Sequence, residues 1–356
     1  MHIKSFYRFL LHACMCTIMT LFLAIPITAE ETEQTIKHES GIYYTIQKGD
    51  TLWDLSQRFY DSPALWPDLW KENNQIPNPH WIEPGERIRL YHQSGAQQIK
   101  LLKKIEKKPL VQTEQPQADE TRKDPPYYYY SPINSIGFIR KTPRAPEGTI
   151  FRAKEDKVMI SIGDTVYIKP ENNYSIAVGQ QYTVYRIVTS ARNKNFKEYM
   201  ENYGFQHYLT GVIKITAFES DYYIATVTHS YRDIRVNDQL MPYKPRSPKV
   251  YLSESQEGIL GQIITNEDRD RMFGDNVIAF IDKGRKDGIK TGQFYSVFYQ
   301  EEHGLKFSDK KMGGLLTPID FGNLLVLDTE EETATVLVTY SEKDMYPTVN
   351  IRTPIK

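Results

Sequence analysis

The side chains best suited to hydrolytic chemistry are poorly placed for it in this chain. The only cysteines, Cys14 and Cys16, lie in an apolar N-terminal stretch. Once that stretch is removed, no thiolate nucleophile, disulfide or Cys-held metal remains. The later histidines, His38, His80, His92, His207, His229 and His303, show no His-x-His or His-Glu-x-x-His spacing of the kind zinc hydrolases use. His207 and His229 would meet only across strands, and they read as surface or strand-filling residues. There is no Gly-x-Ser-x-Gly elbow and no nucleotide-binding glycine loop. Two carboxylates are enough for a glycosidase, so that alternative stays open. The expectation is a protein that is not an enzyme and needs neither metal nor cofactor.

The chain instead concentrates aromatic residues: all four tryptophans, Trp53, Trp66, Trp70 and Trp81, fall in one segment. The elements that must position them follow from local patterns. Tyr44 and Ile46 alternate with Tyr43 and Thr45 as a strand, which ends at the turn residues Lys48-Gly49-Asp50. Asp50 or Thr51 can cap a helix, with Thr51-x-x-Asp54 matching a capping box, and Leu52, Leu55 and Phe59 fall on one face of it. Pro63 breaks that helix, and a second begins near Pro67, carrying Trp66, Leu69 and Trp70 until Asn73-Asn74. Pro77, Pro79 and Pro84-Gly85 enforce a loop before a closing strand with Ile88 and Leu90. The predicted order is strand, helix, helix, strand.

On these residues the segment resembles the LysM family. The aromatic-x-Ile opening, Gly49-Asp50-Thr51-Leu52, Phe59, Leu69, Asn73, Ile82, Pro84-Gly85 and Ile88-x-Leu90 agree with it in order. Trp66-Pro67-Asp68-Leu69-Trp70 looks like the tryptophan-rich variant of Gram-negative members. The resemblance implies binding to N-acetylglucosamine units of peptidoglycan glycan strands in a shallow groove. One side of that groove would be Gly49, Asp50, Thr51 and Leu52, and the other Gln75, Ile76, Pro77 and Asn78. Trp53, beside the first loop and off the Leu52/Leu55 stripe, joins the set, whereas Trp70 reads as core. Such a site suits an uncharged sugar, which needs backbone donors and acceptors beside a small apolar patch. Gly49 and Asp50 also have a purely local explanation in turn and cap chemistry.

The predicted fold class is α+β: a small βααβ domain at 42–92, a flexible linker at 93–130, and two mostly-β repeated modules at 131–246 and 247–356. Pro, Glu, Gln, Asp and Thr dominate positions 109–126, which is linker composition. One or two helical turns are expected near Phe196–Tyr203. The repeat pairs Gly163-Asp164-Thr165-Val166 with Gly274-Asp275-Asn276-Val277, and the segment from Gly179 to Tyr185 with that from Gly292 to Phe298. Gly211 pairs with Gly322, and Ala225-Thr226-Val227 with Ala334-Thr335-Val336. Glycine turns and alternating Tyr, Phe and Val explain these residues by folding alone. A joint is expected near Pro245–Lys249.

Lys4 and Arg8, an apolar run from Phe9 to Ile27 and the small residues Thr28 and Ala29 read as a signal peptide, 1–29, cleaved after Ala29. An uncleaved membrane anchor is the alternative, and a lipoprotein box around Cys14 is disfavoured because the Cys precedes most of the apolar run. Net charge is −1 for the whole chain, or −3 without Lys4 and Arg8. That is too near neutral for nucleic acid. The expected partners are peptidoglycan glycan strands and a second envelope protein, with the membrane met only through the signal segment before cleavage. The expected location is the periplasm or cell envelope.

Overall fold

A computed structural model describes residues 40–90, 125–171, 176–188, 202–307 and 310–355. The expected signal peptide, the expected linker through position 124, and most of the helical turn expected at Phe196–Tyr203 lie outside these residues.

The N-terminal module contains β1 (Ser40–Thr45), α1 (Leu52–Tyr60), α2 (Trp66–Lys71) and β2 (Arg87–Arg89). Thr51 caps α1: its Oγ1 accepts from the Asp54 amide at 3.1 Å and donates to the Asp54 carboxylate at 2.7 Å. Leu52, Leu55 and Phe59 are buried on one face. Asp61 stops the helix in the left-handed region, with φ 58°. Pro63 opens a single 3-10 turn leading to α2, whose first turn contains Pro67. β1 and β2 are antiparallel, with Tyr44 opposite Ile88.

This sheet is wider than the sequence suggested. β3 (Tyr127–Tyr130), read above as the end of a flexible linker, pairs with the other edge of β1. β11 (Lys249–Tyr251), read as the start of the last module, pairs with β3, giving the order β11-β3-β1-β2. Tyr128 and Val250 join Ile42, Tyr44 and Leu69 in one core. A run of four tyrosines shows no polar alternation, so its two faces are invisible in sequence.

The other strands close into two six-stranded rings. The first contains β5 (Gly148–Ala153), β6 (Thr165–Pro170), β7 (Gln181–Val188), β8 (Phe205–Glu219), β9 (Tyr222–Ser230) and β10 (Gln239–Pro242). Pairing runs β5-β6-β9-β8-β7-β10 and back to β5. β4 (Phe138–Arg140) is added along the first residues of β8. The second ring contains β12 (Leu260–Asn266), β13 (Ile278–Ile281), β14 (Phe294–Tyr299), β17 (Ile319–Thr329), β18 (Ala334–Ser341) and β19 (Asn350–Arg352). Its pairing runs β12-β13-β18-β17-β14-β19 and back to β12. A hairpin, β15 (Glu302–Phe307) with β16 (Lys310–Leu315), lies between β14 and β17. Each ring encloses its own apolar core.

Both rings therefore pair their strands in the same order. The irregularities coincide too: register shifts fall at Ile150/Arg152 and Ile263/Thr265, and at Val184/Tyr185 and Val297/Phe298. Bulges are positional features of a sheet, so matching bulges fix the correspondence residue by residue. They also correct two of the sequence pairings. Gly163 donates to Val227 O as Asn276 donates to Val338 O, so Gly163 corresponds to Asn276 rather than Gly274. Both have positive φ, 86° and 61°. Val227 likewise corresponds to Val338, shifting the Ala225 alignment by two. Glycine identity misled the comparison because asparagine fills the left-handed position in the second ring.

At Pro245–Lys249, where a joint was expected, Arg246 is bonded to residues on both sides. The Arg246 guanidinium reaches Asp328 at 2.9 Å and Ile136 O at 3.0 Å, while its amide donates to Asn134 at 2.8 Å. Ile139 of β4 packs with Ile264 and Phe280 of the second ring. Thr333 and Thr335 donate to Ile139 O and Gly137 O at 2.6 and 2.9 Å. Glu267, 5% exposed, accepts from the Gly137 amide at 2.7 Å and from Arg232 at 2.5 Å. The N-terminal core in turn continues into Ile278, Phe294, Leu325, Leu327 and Leu337 on the outer wall of the second ring.

Candidate functional site

The loops that were expected to face each other are built for different tasks. Gly49 has φ +90° at the turn after β1, a conformation a side chain would strain. Asp50 closes that turn: its carboxylate accepts from the Tyr44 hydroxyl and the Gln47 amide, each at 2.8 Å. Burial and this carboxylate push the Tyr44 hydroxyl up to about 12, so it remains a donor. Thr51 is occupied as the cap and Leu52 is 2% exposed. Of this loop, only Trp53 presents a large side chain to solvent, at 53% exposure.

On the second loop, Ile76 is buried and its carbonyl accepts from Trp70 Nε1 at 2.8 Å. That bond accounts for Trp70 as a packing residue. Gln75 donates to Asn73 and to Arg87 O at 3.3 and 3.2 Å. Asn73, 1% exposed, bonds Leu69 O, Arg89 O and the Arg89 amide, tying the end of α2 to β2. Pro77 and Asn78 are exposed, and Asn78 accepts from the His80 amide at 3.0 Å, forming an Asx turn that directs the following residues.

Those following residues complete the site. An open cleft of about 640 Å³ is lined by Asp50, Thr51, Leu52, Trp53, Trp66, Pro79, His80, Trp81 and Ile82. The structure thus brings Asp50 to Trp53 together, with Gly49 at the adjoining turn. Gln75, Ile76, Pro77 and Asn78 precede Pro79 in the chain and are not among the residues that line the cleft. Sequence reading missed Trp66, Pro79, His80, Trp81 and Ile82 as lining residues. The clustering of the four tryptophans in this segment is the sequence signal that points to them. Trp81 is 77% exposed, the Trp66 ring packs 5.9 Å from His80, and the floor is apolar. The cleft therefore offers two solvent-facing indoles beside the Thr51 hydroxyl and the His80 ring, with the Asp50 carboxylate already accepting from Tyr44 and Gln47. That chemistry fits the faces and acetamide of a neutral sugar.

Among the described residues, no group of three or more His, Cys, Asp and Glu side chains is arranged to hold a metal ion. His207 and His229 do not meet. His207 lies opposite Phe138 of β4, and His229 lies opposite Val212 of β8. His207 Nδ1 contacts Phe205 O at 3.0 Å and Nε2 accepts from the Arg144 amide at 3.0 Å, a pattern that requires the neutral ring. Burial holds its pKa down at about 4.

Fold and cleft together define the class of this module: residues 44–90 match the LysM domain family, and the segment is a LysM domain. The chain is 40% identical over 57 residues to Uncharacterized protein YqbP of Bacillus subtilis (strain 168). The overlap takes in 13% of this chain and 26% of that protein, so the chain spans about a quarter of the length of the relative it matches. LysM domains bind peptidoglycan glycan strands, which places this segment's expected ligand in the cell wall or its fragments. Among the described residues, no helix is long and apolar enough to cross a membrane.

Proposed function

We propose that the protein is an exported, non-catalytic envelope protein that holds peptidoglycan glycan through the LysM cleft, with its β rings as a spacer or protein-interaction platform. The observation that carries this reading is the cleft between Trp53 and Trp81 on a module of LysM fold. Export rests on the basic, apolar and small-residue order of the first 29 residues, and an envelope of Gram-negative type on the tryptophan-rich variant of the motif. The two β rings are read as copies of one module, supported by their common pairing order and coincident bulges. Their domain limits follow the strands, with β3 and β11 assigned to the LysM sheet.

A single shallow site binds on the order of micromolar to millimolar, and the density of glycan in the wall supplies avidity. The test is co-sedimentation of the protein with purified sacculi. Deleting the LysM segment would also remove β1 from beneath β3, so substitution is the cleaner tool. Trp53→Ala with Trp81→Ala is expected to leave the protein in the supernatant while its thermal midpoint stays that of the parent. Undiminished pelleting of the double variant would refute the reading.

A further inference from the structure

The residue correspondence between the two rings exposes an asymmetry. In the second ring, Ile264, Phe280, Thr333 and Thr335 form an outer face that the first ring covers through β4. By register, Ile264 corresponds to Phe151, Phe280 to Tyr167, Thr333 to Tyr222 and Thr335 to Ile224. Ile264 and Phe280 are 0% exposed, whereas Phe151 is 43% exposed. Phe151, Tyr167 and Tyr222 form a ring cluster with centroids 5.8 to 6.2 Å apart. Beside it, Val158 and Met159, 85% and 78% exposed, line an open cleft of about 670 Å³ together with Val236 and Arg235. An outer face that is interface in one ring is therefore an uncovered apolar surface in the other.

The covering side shows the complementary situation. In the first ring, the start of β8 and the turn after β9 meet the second ring through Gln206, Tyr208 and Arg232. The corresponding positions in the second ring hold Leu316 for Phe205, Ile319 for Tyr208 and Lys343 for Arg232. Leu315, Leu316 and Ile319 are 63%, 43% and 50% exposed. Arg232 meets the acidic Glu267, and beside the corresponding Lys154 stand Glu155 and Asp156, opposite in sign to Lys343.

We propose that the exposed aromatic face of the first ring receives the Leu315–Ile319 edge of the second ring of another copy, so that chains join head to tail. The contact between rings inside one chain is repeated between chains, with the edge at 315–319 doing what β4 and the start of β8 do internally. This rests on the correspondence of the two rings, and is independent of glycan binding. Such a contact is heterologous: an assembly that has not closed into a ring keeps one unused face at one end and one unused edge at the other, so it continues to add copies.

Analytical ultracentrifugation of the purified protein over a range of concentrations tests it. The wild type is expected to sediment as a concentration-dependent series beyond the dimer. Phe151→Glu spoils the face and Ile319→Asp spoils the edge, and each variant alone is expected to stay monomeric. An equimolar mixture of the two is expected to form a dimer and nothing larger, because one intact face meets one intact edge. That mixture also shows that both variants are folded. A wild type monomeric throughout, assembly persisting in either single variant, or a mixture that remains monomeric would each overturn the proposal. Sacculus co-sedimentation of the same variants separates this outcome from failure of the LysM reading.

Discussion

At the scale of single residues, the titrating group with the clearest consequence is His207. Its folded pKa of about 4 lies below the ordinary value of 6.5, so the unfolded chain takes up a proton that the folded one refuses. The stability this contributes is full above about pH 6.5 and is lost as pH falls toward 4. Between pH 7 and pH 5 the loss is about 2 kcal/mol from this group. In His207→Phe that part of the pH dependence is expected to vanish, while stability at pH 7 falls by about 1 to 3 kcal/mol because the Arg144 amide loses its acceptor. Urea midpoints of both proteins at the two pH values give the comparison. Arg232→Met leaves Glu267 buried against Gly137 without its cation, and is expected to cost about 3 to 5 kcal/mol. Arg232→Met with Glu267→Gln should recover part of that loss in the same measurement. The places of Leu52 and Trp70 were legible from spacing, and the cap was narrowed to Asp50 or Thr51, because capping and helical periodicity are local. The structure assigns the cap to Thr51. Trp81 was not, because an Asx turn at Asn78 decides where its ring points.

At the scale of elements, the two helices and β1–β2 were readable because each carries its own start and stop residues. β3 and β11 were not, since each has its partner far along the chain and an apolar pattern too short to show alternation. Their contribution is open to a direct optical test. Every tryptophan lies in the LysM domain, so intrinsic tryptophan fluorescence reports its unfolding and no other part. Val250 is 3% exposed in the shared core and lies in β11, well outside the matched LysM residues. Val250→Asp buries an unpaired carboxylate and is expected to lower the fluorescence-detected midpoint by several degrees, corresponding to about 2 to 4 kcal/mol. An unchanged fluorescence midpoint would mean that the LysM domain stands alone. The repeated rings were legible as strands separated by turns, but glycine matching put two segments out of register by two residues. Hydrogen-bonded turns conserve backbone conformation, and Asn276 achieves it without glycine.

For the whole molecule, buried ionic and threonine contacts join the two rings on either side of Pro245–Lys249. Limited proteolysis is expected to spare 245–249, where Arg246 is held from three directions, and early cuts there would contradict the locked arrangement. A non-catalytic protein should also release no muropeptides from sacculi above a heat-inactivated control, as read by mass spectrometry. The four-stranded sheet that begins at β1 has one further consequence, in the order of assembly. Its inner neighbour β3 is separated from it by the linker, and its outer edge β11 follows the whole first ring. The N-terminal domain therefore cannot complete its sheet until the entire first ring has been made, and its final pairing, Tyr128 with Val250, closes a loop that contains that ring. Folding rates fall as contacting residues grow more distant in sequence. The LysM domain, although it precedes both rings in the chain, is thus expected to reach its finished form late, with its tryptophan signal in refolding settling after the first ring has closed.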